Sequence, residues 1–424
     1  MIKTAPLTIT LLTLSLTTAA LADWPRFLGP QGAATANDPA AQLTWSDSKN
    51  IAWETELPGP GNSSPIVIGN DIFITCYSGY ALERSNPGEI EKLTRHLLRI
   101  DAKNGKILWD QKVKAVQPED TYKGYITEHG YASNTPVSDG VRVFVHHGKS
   151  GVYAYDMNGK QLWQKDVGRD SSNKRWGSAS SPILHKNLVI VNAAEESQTL
   201  YAFDKVTGEE KWKAEGSQLQ LTYGTPRIIN GNELLLAVPN EIWGLNPDTG
   251  KMKWLCETPF GGNISPSVVY GDGTAFAFGG FPKKGSVAVK TGGKGDVTDE
   301  HRLWVKDRTP YVSTPVYHAG HLYWVSKDGI AECQNATTGE TVYKERLKSS
   351  TAAPKFYASP VLVNDTMVMV SRNAGTFTYR AGTTFQQTGQ NVIAKDDSEF
   401  NGTPAIANGT LYLRSNQALY AIGK

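Results

Sequence analysis

The sequence predicts an all-β fold: an eight-bladed β-propeller with four-stranded antiparallel blades, closed by an N-terminal strand in the last blade. Three observations predict it. The first is a recurring hairpin. LYAFDKVTGEEKW, residues 200–212, reads as a strand, a turn and a second strand ending on Trp212. Alternating apolar residues mark each half as a strand with one covered face. Asp204 can accept bonds from the turn backbone, and Gly208 supplies the positive φ that closes it. The same hairpin ends at Trp109, Trp163 and Trp254, and at Tyr343 with a different aromatic in that place. The second observation is a phrase before each hairpin, a Ser or Thr, a proline and then apolar residues, at Pro65, Pro136, Pro182, Pro226, Pro266, Pro315, Pro360 and Pro404. Steps of roughly 40 to 50 residues belong to solenoids and propellers. Phrase and hairpin together make the four strands of one blade. The third observation is that the two ends complete each other. NIAWETEL places Trp53 like the end of an outer strand, yet ahead of the first inner strand, and TPAIANGTLYLRSNQALYAIGK holds three strands and stops. Pairing Asn50–Leu57 beside those final strands seals the ring without a free edge.

Taken in order, residues 1–22 read as a secretory signal. Lys3 precedes an apolar, Thr-rich run, and Ala20-Leu21-Ala22 offers a cleavage site after Ala22, too short a segment to span a bilayer. No cysteine lies near the cut, so no lipid anchor is expected, and no later run is long enough to span. The expected location is the periplasm or the exterior. Residues 23–50 form an N-terminal tail, DWPRFLGPQG followed by small polar residues, whose Trp24 and Phe27 are expected to cap an end of the ring or to plug it towards a ligand. Residues 51–424 are the propeller. Trp53, Trp109, Trp163, Trp212, Trp254 and Trp304 are assigned to blade docking, buried in the seams as large flat side chains should be. Two blades depart from the pattern. The fifth replaces the turn with KTGGKGDVTDEH before Trp304, and the seventh lacks the tryptophan, so other side chains are expected to fill those seams.

Nearly balanced charges, 43 Lys and Arg against 41 Asp and Glu, argue against nucleic acid as a partner. Cys76, Cys256 and Cys333 are odd in number and far apart, which fits buried free thiols better than a disulfide frame.

Strand direction separates the two faces of the ring. The turns Asp139-Gly140, Asn158-Gly159, Asn230-Gly231 and Asn408-Gly409 share one face and are minimal, whereas residues 79–94, 117–131, 168–179 and 280–285 are insertions on the other. Binding residues concentrate on loops held by a rigid scaffold. The candidate ligand or partner site is therefore Glu128, His129 and Tyr131, with Arg175 and Trp176, and with Arg308 and Tyr311. Arg forks bind carboxylates and aromatic rings stack; the alternative is that these groups satisfy one another at a wet funnel. No metal is expected: His146 and His147 are neighbours on one strand and point to opposite faces, and no paired-ligand spacing occurs. No catalytic residue is assigned, since neither a phosphate loop nor a G-x-S-x-G elbow is present.

AFDKVTGEEKW, RIDAKNGKILW and GLNPDTGKMKW resemble the tryptophan-docking repeat of the quinoprotein-like (PQQ-like) β-propellers, over essentially all of residues 51–424. That family includes PQQ-dependent alcohol dehydrogenases, BamB-type scaffold lipoproteins and other exported propellers. The resemblance implies the fold and leaves the function open. Its dehydrogenases carry two adjacent cysteines against the quinone and a calcium set, and this chain has no adjacent pair. BamB-type proteins carry a lipidated N-terminal cysteine, and the mature chain is expected to start at Asp23. The reading is an exported, non-catalytic propeller, a monomer that acts as a binding or assembly scaffold for an envelope protein or glycan and needs no cofactor. A PQQ-dependent dehydrogenase, with PQQ and calcium, is the alternative, and a glycan-binding module the third reading.

Overall fold

In the computed structural model, which describes residues 23–423, eight four-stranded blades surround a central channel. The predicted signal, residues 1–22, lies outside the described residues. The first blade shows the pattern: Ile66–Ile68 innermost, then Asp71–Ser78, Thr94–Asp101 and Ile107–Lys114 outermost. The last blade has Ala405–Ala407, Thr410–Arg414 and Ala418–Ile422, and its outer strand is Ile51–Glu56, antiparallel with Ile51 opposite Ile422 and Glu56 opposite Ala418. The ring is closed by the N-terminal strand, as the unmatched Trp53 predicts.

The repeated glycine and tryptophan serve neighbouring blades. The indole N–H of Trp53, Trp109, Trp163, Trp212 and Trp304 donates to the carbonyl of Ala102, Met157, Lys205, Pro247 and Ala336 respectively, each in the hairpin turn of the next blade. The turn glycine lies flat on that ring. A Cβ added to Gly208 would stand 2.8 Å from Trp163, and one added to Gly250 would stand 2.5 Å from Trp212. Trp163, Trp212, Trp254 and Trp304 are buried, and Trp53 and Trp109 are half-buried. Trp254 faces the fifth blade, whose hairpin turn has been replaced. Its N–H turns back to Glu233 Oε1 at 3.1 Å in its own sheet, and the replacement segment lays Gly295–Asp296 in parallel along Met252–Glu257. The seventh blade, without a tryptophan of its own, borrows Trp45 from the tail; this buried residue is held by Asn391 and lies beside Leu413 of the eighth blade.

The Ser/Thr-Pro phrase builds a girdle around the channel. The N–H of Ser64 donates to Thr135 Oγ1 at 2.9 Å; Thr135 donates to Ser181 Oγ, Ser181 to Thr225, Thr225 to Ser267, Ser267 to Thr314, Thr314 to Ser359 and Ser359 to Thr403, each at 3.0 Å. A short hydroxyl on seven of the eight inner strands thus satisfies a backbone donor of the preceding blade, which would otherwise be buried without a partner. The fifth blade corrects the sequence register: the hydroxyl is Ser267, after Pro266 rather than before it, and Val268 stands where the other blades carry proline. At the seam between last and first blades the buried Arg414 guanidinium bridges instead, donating to Thr75 O at 2.8 Å and to Ser63 Oγ at 3.2 Å.

The tail enters from the minimal-turn side. Trp24 exchanges backbone bonds with Val67 of the first inner strand, Ser138 of the second donates to Pro25 O, and Thr35–Ala36 pairs in parallel with Val361–Val363 of the seventh. Covering exposed inner edges is one use of such a segment. Trp24 and Leu28 are buried there, so the tail is both a cap on this end and a floor to the channel.

Candidate functional site

Above the girdle the channel holds a cavity of about 150 Å³. Its wall is built by the repeat. The residue two places before each girdle hydroxyl faces the cavity: Asn62, Ser133, Ala179, Tyr223, Ser265, Val312, Tyr357 and Asn401. Six of the girdle residues lie below them, with Phe27 of the tail beneath. The same strand geometry therefore delivers a different side chain from each blade to one space.

Two insertions roof it. The segment 117–131 carries a single helical turn, Ile126–His129, that leans across the mouth from the second blade to the seventh. There the Glu128 carboxylate meets the Arg372 guanidinium, which also binds Glu399 and sits 5.2 Å above the Tyr357 ring. Tyr125, from the same segment, packs on Trp176 with tilted rings at 4.6 Å and meets Tyr357 edge-on at 6.3 Å, and Trp176 stacks on Tyr223 at 5.9 Å. His129 joins the two insertions. Its Nε2 lies 2.7 Å from Trp176 O, a group that only accepts, so Nε2 carries the proton. Burial pushes its pKa down to about 4. The ring is therefore neutral, and Nδ1 accepts from the Ser133 hydroxyl at 2.8 Å.

The bases of these loops are tied by buried ion pairs. Arg95 meets Glu119 at 2.6 Å and Lys149 meets Asp120 at 2.9 Å, all four side chains nearly sealed from water. Beside them the Ser172 hydroxyl donates to Glu195. Glu196 has neither carboxylate oxygen hydrogen-bonded, and the His146 Nε2 stands 3.8 Å away. Burial raises Glu195 and Glu196 to about 7 and lowers His146 to about 4.

The site residues expected from sequence separate into four places. Glu128, His129 and Trp176 line the cavity. Tyr131 does not reach it; buried among Tyr77, Tyr80 and Tyr122, it donates its hydroxyl to Asp120 O and packs the lid from behind. Arg175 points to solvent, 75% exposed, within 3.5 Å of Asp120. Arg308 pairs with Glu332 at 3.3 Å, and Tyr311 meets the exposed Phe281 edge-on and the hydroxyl of Tyr125 in the roof, so neither lines the cavity itself. Phe27, expected as a cap or a plug towards a ligand, lines the cavity floor, whereas sequence reading missed Asn62, Tyr125, Tyr223, Tyr357 and Asn401. The signal was available for four of them, in the fixed offset from the girdle hydroxyl. Cys76, Cys256 and Cys333 are buried and free, and among the described residues no group of three or more His, Cys, Asp or Glu could hold a metal ion.

A family model described as outer membrane protein assembly factor BamB matches residues 93–345. The outer membrane protein assembly factor BamB of Burkholderia pseudomallei is 23% identical, the match covering 75% of this chain and 84% of that protein. Among solved structures, BamB from Moraxella catarrhalis superposes with a TM-score of 0.60 at 13% identity, covering 87% of this chain and 97% of that one. The quinohemoprotein alcohol dehydrogenase from Comamonas testosteroni superposes at 0.63 with 12% identity, covering 95% and 81%. At such identities the superpositions speak for the fold alone. The family model spans more than half of the sequence and takes in the docking repeats of the first, second, third, fourth and sixth blades, and the chain belongs to the BamB family of PQQ-like β-propellers.

Proposed function

We propose that this protein is a non-catalytic scaffold of the cell envelope, exported and docking an envelope protein of the outer-membrane assembly kind through its insertion-bearing face. The observation that carries the reading is the family match together with a BamB relative of similar extent. The face itself suits the role. Its rim offers Leu82 and Phe281, 54% and 47% exposed, and the arginine heads of Arg84, Arg175 and Arg308. Aromatic and Arg side chains dominate binding hot spots. The ion pairs beneath hold the loops in one arrangement, which lowers the ordering cost of docking. Among the described residues no helix is long and apolar enough to cross a membrane.

The dehydrogenase reading is less well supported. PQQ is a fused polycyclic polycarboxylate that the cavity's one-ring size does not fit. The carboxylate lining the cavity, Glu128, is already held by Arg372. The residues present therefore do not make a cradle for the quinone and calcium, and our reading assigns neither.

The test is capture from the native envelope with the full mature chain as bait. Arg175→Ala with Phe281→Ala should lower recovery of the specific partner at least tenfold, while Val141→Ser with Val206→Ser on the opposite face should leave it unchanged. The reverse pattern would place docking on the minimal-turn face.

A further inference from the structure

We propose that the channel cavity is a binding site for one neutral monosaccharide in its pyranose form, a role separate from docking on the rim. The inference starts from Asn401. This side chain lines the cavity and is 7% exposed, yet neither its amide oxygen nor its amide nitrogen has a hydrogen-bond partner. An amide buried in that state is costly unless something in the cavity meets it. A group that both donates and accepts, as a hydroxyl does, satisfies both atoms.

The rest of the wall selects the same chemistry. Every cavity-lining girdle hydroxyl already accepts a backbone N–H, so its own proton is left to donate inward. Charge does not recommend an ionic ligand: Glu128 is neutralised by Arg372, and His129 is kept uncharged by burial. Phe27 below and Tyr357 at the side supply apolar surface, against which the C–H face of a sugar ring can lie. The volume is that of a site for a single six-membered ring. A ligand with one apolar face, a rim of hydroxyls, no charge and six-ring size is a pyranose.

Isothermal titration calorimetry on the full mature chain, with D-glucose, D-galactose and N-acetyl-D-glucosamine as probes and choline and acetate as controls, tests this. Saturable binding of one of the sugars, with unit stoichiometry, is the expected result. Asn401→Ala should weaken it at least tenfold. Val312→Phe, which fills the cavity from another blade, should abolish it, and both variants should keep the far-ultraviolet circular dichroism of the parent. A crystal soaked in the bound sugar should show it between Phe27 and Tyr125. Three outcomes overturn the proposal: no saturable binding of any of the sugars, binding of choline or acetate in their place, or sugar binding untouched by both variants.

Discussion

Single residues carry their environment into measurable quantities, and Glu196 does so most directly. Its carboxylate is fully enclosed, with the His146 ring 3.8 Å away, and burial raises its pKa from 4.5 to about 7. Between those values the folded chain holds a proton that the unfolded chain has released. Stability contributed by this group therefore falls as pH climbs from 4.5 to 7 and stays lost above. His146, lowered to about 4, works in the opposite sense, since the unfolded chain binds the extra proton up to 6.5. Glu196→Gln keeps the shape and removes the ionisation. The variant should be more stable than the parent by about 1 to 3 kcal/mol at about pH 8, the cost of an unmatched buried polar group, and the gain should vanish towards about pH 5. Thermal midpoints of both proteins across that range check it. A gain independent of pH would mean that the Glu196 carboxyl titrates alike in the folded and unfolded chains, so that burial does not raise its pKa.

At the scale of elements, the seam between blades was half legible. Alternating hydrophobicity and the Gly-to-Trp spacing announce the hairpin, because those features are local. That the tryptophan serves the next blade's glycine is a non-local fact, and it needs the ring to be seen. The girdle hydroxyl was visible as a repeated Ser or Thr, yet its role depends on a neighbour about 45 residues away, as the 44-residue step from Ser181 to Thr225 illustrates. Reading by proline alone misplaced the fifth blade by two residues. The cavity was the least legible part. Its wall positions vary from Asn62 to Val312 to Tyr357, so no single residue type repeats there, and Phe27 reaches it only through the path of the tail. The seam is open to a graded test at Trp212. Trp212→Phe removes the N–H bond to Pro247 and should cost about 1 kcal/mol. Trp212→Ala also empties the space above Gly250 and should cost about 3 to 5 kcal/mol. Chemical denaturation of the variants gives both numbers. Equal costs would show that the bond, and not the filled seam, is what the repeat preserves.

For the molecule as a whole, the decisive element is the strand that joins its two ends. Ile51–Glu56 pairs along Ala418–Ile422, and Trp53 docks on Gly105 of the first blade. Removing it exposes a sheet edge and opens the one seam where the hydroxyl girdle already has Arg414 in place of a link. Removing only the tail should do less. A chain beginning at residue 37 loses Trp24 and Leu28 from their buried positions, about 3 to 5 kcal/mol at the usual value of a buried apolar side chain, but it keeps a closed ring and should stay monomeric. A chain beginning at residue 58 lacks the closing strand and should self-associate through the bare edge. The register supplies a rescue: Ile51 lies opposite Ile422, so residues 51–57 grafted after Lys424 through a short Asp-x-x-Thr-Gly turn would return to the same place as an ordinary hairpin. Size-exclusion chromatography with light scattering should find the grafted chain monomeric again, with most of the parent's thermal midpoint restored. If the chain beginning at residue 58 is already monomeric and as stable as the grafted one, the ring is held by its inner girdle and the closing strand is dispensable.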